Sequence, residues 1–533
     1  MAVVVMGDWM AGTLAAPVLD LDPLAVALPP AEVAWAGTVN LVAAAALLAV
    51  AGRLADLAGR RGVLAVGLAL YVLGASAVIV APSWPVLVGA RLGQGAGVGL
   101  MVPAALAMLL AALPERRRAG GVALWTVACG AGVLGMQAGS GWLLAMFGWR
   151  GLFLPGAAVA AVLLLFAPAL PRSLGNPVRG SAVRPILLAA GIAAAVLTLA
   201  RGGVWGWTSG ATLGCAAAAA LLLAATLILR PSLRSTPTDD SPRGDGRHRA
   251  GGAPVTAAGS RAGLGWAVVA SGVCGAAFFA LLSAAPAYVA ATMPPSADAG
   301  SAGVVLHGHA TGGEGWHRAG TPGWLWLVPV VAALAVAAPL AARAARRFGA
   351  NGVVLGGAVA LGSGCALLLA RPYPLPWILA GALLAGAGLG ALTTGALTIG
   401  AAATGRANLA AGVAAVDTAR LVGAAAGIAG ATVLTTSGVP GPAAEGSDAV
   451  LLACLAVAVL LTAATAWRWA AARRHRTVRA SLRAAQQEAE SLRGLLLELR
   501  ASFTEVRGQA DRELVRLGIK DVPAPWGNPH GQE

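Results

Sequence analysis

Charge is what this sequence most lacks. Only 11% of its 533 residues are Asp, Glu, Lys or Arg, against about 25% in an ordinary soluble domain. A soluble fold of this length needs far more polar surface, so a soluble enzyme is excluded. Lysine is nearly absent, with Lys520 alone. Aromatic residues make up only 5%. The five cysteines (Cys129, Cys215, Cys274, Cys365 and Cys454) lie far apart in apolar runs with no CxxC or CxxH spacing. That excludes a disulfide framework or a zinc motif, and they read as small core residues. No Walker loop appears, so ATP-driven pumping is not supported. No Ser/His/Asp or paired-acid arrangement points to a hydrolase, and no cofactor is expected. No cleavable leader is expected either, because no soluble mature domain follows the first apolar run.

What is abundant is apolar: 58% of the residues are hydrophobic, in runs of about 20 that recur from end to end. That is the mark of membrane helices. About fourteen spans are predicted, near 3–29, 35–53, 62–81, 86–113, 120–146, 150–170, 185–203, 209–229, 263–291, 323–342, 352–370, 377–402, 408–435 and 449–469. Ala, Gly, Leu and Val dominate, and small residues let helix backbones approach where lipid removes the hydrophobic drive.

The net charge of +15 is almost all arginine, and its placement favours a topology signal over nucleic-acid binding. Basic residues collect in cytoplasmic connections because they resist translocation. With a cytoplasmic N-terminus, the even-numbered connections carry Arg53, Arg60 and Arg61; Arg116, Arg117 and Arg118; Arg172, Arg179 and Arg184; a six-arginine run from Arg230 to Arg261; Arg343, Arg346 and Arg347; and Arg406. The tail is basic as well. The opposite connections hold Arg150, Arg201, Arg318 and Arg371 as exceptions. One missed span would invert everything downstream, yet the alternation survives to the end. Both termini are therefore expected in the cytoplasm of a bacterial cell, with the bundle in its inner membrane.

The chain also repeats itself. GRLADLAGRRGVL at 52–64 matches LAARAARRFGANGVVL at 340–355, with Gly62 on Gly352 (352 − 62 = 290). WPVLVGARLGQGAGVGL at 84–100 matches PWILAGALLAGAGLGAL at 376–392, and GGVALW at 120–125 matches AGVAAV at 411–416 (411 − 120 = 291). A steady offset across three segments means two homologous halves of about six helices. The expected organisation is a first half over 1–170, two inserted helices over 171–230, a flexible polar linker over 231–262, a second half over 263–470 and a helical tail over 471–533. Two parallel half-bundles are a transporter plan, with the site between halves that rock against each other.

The tail carries Val478, Leu482, Ala485, Ala489, Leu492, Leu496, Leu499, Phe503, Val506 and Ala510 in alternating steps of four and three, broken at Glu513. This is a heptad seam. It fits a coiled coil that pairs two copies of the chain, or an amphipathic helix lying on the bundle or membrane surface.

Several runs carry chemistry. Gly52, Leu54, Ala55, Asp56, Gly59, Arg60 and Arg61 form a charged, glycine-bounded turn after the second span. The arginines alone would be a topology label, but the acid needs another reason: it can accept hydrogen bonds from arginines and from a helix N-terminus. Its repeat position holds Arg346 (56 + 290). Within the fourth span Arg91 and Gln94 sit in R-L-G-Q-G. An intramembrane arginine faces a partner or cavity, or snorkels outward. The fifth span has a glycine face of Gly130, Gly132, Gly135, Gly139 and Gly141. Asp20 and Asp22 stand in LDLDPLAVALP, where Pro23 can break the helix; they face a cavity or are solvated at the outer interface. Asp417 and Arg420 are three apart on one helical face, so they either neutralise each other or serve substrate or proton. His307, His309, Glu314 and His317 resemble zinc donors, but their Gly- and Ala-rich loop offers nothing to fix a geometry.

These runs together resemble the major facilitator superfamily, in particular its fourteen-helix drug:proton antiporters, over about residues 10–470. The turn fits the family's G-x-L-A-D-x-x-G-R-[RK] and the fourth span its R-x-x-Q-G; the first span resembles L-D-x-T-I-V-N-V-A-L-P with Asp22, Pro23 and Ala25 at the Thr, Ile and Asn positions, and the thirteenth N-T-x-R-Q-x-G-G with Asp417 at the Asn and Leu421 at the Gln position. The resemblance implies that Gly52, Asp56, Gly59, Arg60 and Arg61 form a conformational latch. It assigns proton coupling or substrate contact to Asp20, Asp22, Arg91, Gln94, Asp417 and Arg420, and helix packing to Gly132, Gly135 and Gly139. The family's antiporter motif has a Pro where this chain has Met136, a departure that bears on antiport rather than on transport. The implied function is proton-linked efflux of a small organic compound by alternating access. An uptake or lipid-moving carrier, or a carrier-derived scaffold or sensor, remains the alternative. The partners implied are a small-molecule substrate, protons and the lipid bilayer, without nucleic acid.

Overall fold

The computed structural model describes residues 1–19, 22, 28, 30–171, 183–228, 257–292, 327–370, 375–404, 408–436 and 443–518. Among them every expected span is met by an α-helix. These are α1 (Ala2–Leu19), α2 (Pro30–Ala58), α3 (Arg60–Ile79), α4 (Trp84–Ala112), α5 (Arg118–Gly151), α6 (Leu154–Phe166), α7 (Val183–Trp205), α8 (Gly210–Ile228), α9 (Ala257–Thr292), α10 (Leu327–Phe348), α11 (Ala350–Leu369), α12 (Leu375–Thr404), α13 (Leu409–Thr436) and α14 (Ala443–Arg516). Eleven are long and apolar enough to cross a membrane, and three shorter apolar stretches lie at 2–15, 154–169 and 210–226. Residues 231–256 of the expected linker, the loop with His307, His309, Glu314 and His317, Asp20, Arg318 and Arg371 lie outside the described residues, whereas 257–262, read as linker, begin α9.

The first boundary differs from expectation. The span read as 3–29 is a helix only to Leu19. A run of apolar residues shows where a helix can pass, but the bend at Asp22 is not visible to hydropathy.

Packing follows the repeat. α1 packs on α5, α4 on α2 and α3, and α3 on α6; α9 packs on α13, and α12 on α10 and α11. Two further contacts, α2 with α13 and α5 with α10, join the sets. Gly59 and Gly349, equivalent by 349 − 59 = 290, both take positive φ, 97° and 78°, at the starts of α3 and α11. Only glycine enters that region cheaply, so the two turns share one geometry. The inserted α7 packs on α8, α2 and α13.

Small residues make the contacts close. A Cβ on Gly95 would sit 2.1 Å from the Asn40 carbonyl oxygen, and one on Gly423 2.0 Å from that of Gly272. Gly132, the repeat equivalent of Gly423 (423 − 291), approaches Val3 in the same way, at 2.4 Å from its carbonyl oxygen. Gly135 and Gly139 do not: a Cβ there would meet nothing within 4 Å. Within the row, Gly132 packs on α1 and Gly130 on α10, where a Cβ would lie 3.0 Å from that of Ala335; Gly135 and Gly139 fall on neither contact. α5 continues helical through Met136 and breaks its dihedrals at Gly148 (φ 62°, ψ −165°). Met136 is buried and its methyl end lies beside Gly7.

The tail, Ala466–Glu533, is a separate compact unit. Its described part continues α14, and Leu492, Leu496, Leu499, Phe503 and Val506 are all more than half exposed on it.

Candidate functional site

The middle of the first helices holds an acid that the sequence reading passed over. Asp8 is 3% exposed. Arg91 Nη1 donates to both its oxygens, at 3.3 and 3.4 Å, and Gln94 Nε2 donates to Oδ1 at 2.5 Å. Asn40 Nδ2 reaches Oδ2 at 3.5 Å. Arg91 also donates from Nε to the Ala36 carbonyl (3.1 Å) and from Nη1 to Gln94 Oε1 (2.7 Å), and its guanidinium lies over the Phe153 ring at 5.1 Å. It is the largest fully buried side chain among the described residues. A lone charge at such depth is prohibitive; the ion pair with Asp8 and the bonds to Ala36 and Gln94 offset it, while Arg91 Nη2 meets no hydrogen-bond partner among the described residues. Arg91 therefore does not snorkel. Neither Arg91 nor Gln94 lines the central cavity; both hold Asp8.

One signal could have found Asp8. The quoted first-span pattern places its acid nine residues before a Pro and its Ala two before that Pro. Asp20–Pro29 meets this spacing, and so does Asp8–Pro17 with Ala15. The first register matches more residues, but the second places the carboxylate inside a helix against Arg91. Asp22, expected to face a cavity or to be solvated at the outer interface, is not among the residues that line the central cavity. It accepts from Trp149 Nε1 at 2.7 Å and lies 3.6 Å from Arg150 Nη1, beside the break at Gly148. The short link between α1 and α2 carries it there.

The same contacts explain two arginines on the wrong side of the alternation. Arg150 is matched by Asp22, by the Ala81 carbonyl at 3.0 Å and by the Trp149 ring at 4.6 Å. Arg201 is buried, paired with Glu32 and flanked by Trp35 (5.1 Å) and Trp205 (5.4 Å). Neutralised and shielded, neither is a free positive charge for topology.

The glycine-bounded turn forms a contact between the two helix sets. Asp56 Oδ1 accepts from Arg60 Nη2 (3.0 Å) and Nε (3.3 Å), and Oδ2 accepts from the Ala411 backbone N–H (3.0 Å) in the first turn of α13. The exposed N–H groups and the dipole of a helix start favour an anion there. Four residues earlier, a Cβ on Gly52 would lie 2.5 Å from both the Ala410 carbonyl oxygen and the Ala414 Cβ. Arg61 turns away and donates to the Leu170 carbonyl at 3.2 Å.

A central cavity of about 70 Å³ lies between α1, α5, α9, α10, α12 and α13. Its wall includes Met6, Thr126, Cys129, Phe278, Phe279, Thr393 and Arg420. Arg420 Nη2 lies 2.7 Å from Asp417 Oδ1. Pockets that hold drug-sized ligands measure ~300–1,000 Å³, so in this conformation the cavity is too small for one. Trp9 connects α1 to its wall, with its ring centroid 4.6 Å from that of Phe279.

A family model described as the Major Facilitator Superfamily matches residues 1–305. The chain belongs to this superfamily and is a multi-pass membrane protein. It is 32% identical over 203 residues to the methylenomycin A resistance protein of Streptomyces coelicolor, covering 37% of this chain and 42% of that one. It is 36% identical over 134 residues to the lincomycin resistance protein of Streptomyces lincolnensis (25% and 28%), and 32% identical over 162 residues to the multidrug resistance protein Stp of Mycobacterium tuberculosis (30% of each). The matches span less than half the length of these relatives. Among solved structures, the human organic anion transporter MFSD10 aligns with a TM-score of 0.55 at 16% identity, over 87% of this chain and 97% of that one. The proton:xylose symporter XylE aligns at 0.53 and 15%, over 86% and 93%. At such identities these two likenesses concern the fold alone.

Proposed function

We propose that the protein is a secondary transporter that expels a small organic compound, of antibiotic type, in exchange for protons. The observation that carries this is the Asp8–Arg91–Gln94–Asn40 cluster, a protonatable group held inside a helix that also faces the cavity through Met6. With a proton on Asp8, Arg91 loses its counter-charge and keeps the Ala36 carbonyl, Gln94 and the Phe153 ring. The two protonation states thus favour different seatings of α1 on α4, and a ligand or proton can shift a conformational balance only through such a difference. Through Met6 and Trp9, α1 transmits the shift to the cavity wall. Asp20 and Asp22 are replaced in this role by Asp8.

Asp56, Gly52, Gly59, Arg60 and Arg61 act as the latch of one state, closing the arginine-bearing end where α2 meets α13. That end faces the cytoplasm, the three shorter helices also cross the bilayer, and both termini lie inside a bacterial inner membrane. The halves, inserted pair, linker and tail are those expected from the repeat. The exposed apolar row of the tail pairs two copies as a coiled coil.

The resistance relatives supply the first compounds to try. Uptake of lincomycin and of methylenomycin A into inverted vesicles, with and without an inward-acid gradient, tests the function. Gradient-driven accumulation supports exchange; accumulation indifferent to pH rejects the proton step but keeps the carrier.

A further inference from the structure

The central cavity has one charged side chain among the described residues that line it, Arg420, and that side chain is oriented. Its partner Asp417 is 1% exposed at the side chain and is not part of the wall, whereas the Arg420 side chain is 17% exposed and is. The ion pair therefore stands with its cation toward the cavity and its anion behind. The repeat does not impose this charge. The equivalent positions on α5 are Thr126 (417 − 291) and Cys129 (420 − 291), and both line the opposite wall as neutral groups.

The remaining wall cannot offer what Arg420 can. Thr126 directs its hydroxyl proton to the Val122 carbonyl at 3.0 Å, and Thr393 directs its own to the Leu389 carbonyl at 2.9 Å. Thr126 then presents only lone pairs, and Thr393 Oγ1 also meets Cys274 Sγ at 3.3 Å, where either atom can donate; neither hydroxyl carries a charge. Phe278 and Phe279, packed edge to face at 5.3 Å, give an aromatic floor. A charge among such low-dielectric walls is felt far more strongly than in water.

Resting on the reading of this cavity as the transport site, we infer that it selects organic anions. Its occupant is an aromatic or otherwise apolar body bearing a carboxylate or sulfonate, with the acid on Arg420 and the body against Phe278 and Phe279. A carboxylate or sulfonate matches the donor fork of a guanidinium, which an amine cannot do.

Cys129 on the wall allows a test that needs no known substrate. In a variant with the other four cysteines replaced by Ala, Cys129 is modified in proteoliposomes. Three reagents are present on both faces of the membrane: neutral N-ethylmaleimide, anionic sulfonatoethyl methanethiosulfonate and cationic trimethylammonioethyl methanethiosulfonate. The ratio of anionic to cationic rates is the readout. It is expected to fall on the order of tenfold in Arg420→Gln, to persist in Arg420→Lys, and to rise in Asp417→Asn, since one unit charge at short range in such surroundings weighs that much. N-ethylmaleimide reacting with Cys129 while the ratio ignores Arg420→Gln overturns the anion assignment and leaves the cavity as transport site. Failure of N-ethylmaleimide to reach Cys129 at all removes the transport cavity itself, and the inference with it.

Discussion

Asp8 and Arg91 cannot be altered singly without a large cost. Asp8→Asn leaves Arg91 buried without its counter-charge, and breaking a buried pair from one side costs about 3–5 kcal/mol. The expected outcome is a marked drop in unfolding temperature in detergent, with loss of gradient-driven transport. The double variant Asp8→Asn/Arg91→Gln removes both charges and is expected to regain most of the stability but none of the proton dependence. If Asp8→Asn keeps its pH dependence, Asp8 is not the proton carrier. At this scale the sequence was only partly readable. Arg91 announced itself as a charge inside an apolar run, and Asp417 with Arg420 by helical spacing. Asp8 did not, because two acids share the same distance to a Pro and only the fold decides which of them meets Arg91.

Among elements, the helix contacts give sharper contrasts. Gly132→Ala forces a Cβ to 2.4 Å from the Val3 carbonyl, so it is expected to lower the unfolding temperature. Gly135→Ala points into open space and is expected to be neutral or slightly stabilising, by up to about 1 kcal/mol, as Ala is the better helix former. Equal effects would contradict the packing described. Gly52→Val places bulk against α13 backbone, so the α2–α13 contact cannot close. It is expected to abolish transport at normal expression and to raise labelling of a cysteine placed at Ala414. Asp56→Asn keeps the turn but loses the ion pair with Arg60, and is expected to reduce transport without changing expression. The sequence marked Asp56 as odd because positive-inside topology needs no acid. It could not say that the acid caps α13, a partner 355 residues away.

For the whole molecule, the two most extensive contacts between helix sets, α2 with α13 and α5 with α10, are related but unequal. Gly52 against Ala410 and Ala414 is mirrored by Ala342 (52 + 290), clustered with Ala119 (410 − 291) and Ala123 (414 − 291). Only the first carries a carboxylate, since Arg346 stands at the position equivalent to Asp56. One contact therefore holds the Asp56 carboxylate, the group proposed as a latch, and the other does not, and α7 lies along the first. Removing the tail from residue 471 onward is expected to halve the mass measured by light scattering and to leave transport intact; an unchanged mass would reject pairing through it. The sequence by itself determined the helices, their order, the repeat and the arginine-bearing end, because these follow from local hydropathy, glycine turns and charge count. The tertiary structure alone decided which acid meets Arg91, which glycines pack, and that Arg420 rather than Asp417 faces the cavity. Those outcomes depend on the rotation of each helix against neighbours distant in the chain, and no local pattern encodes a rotation.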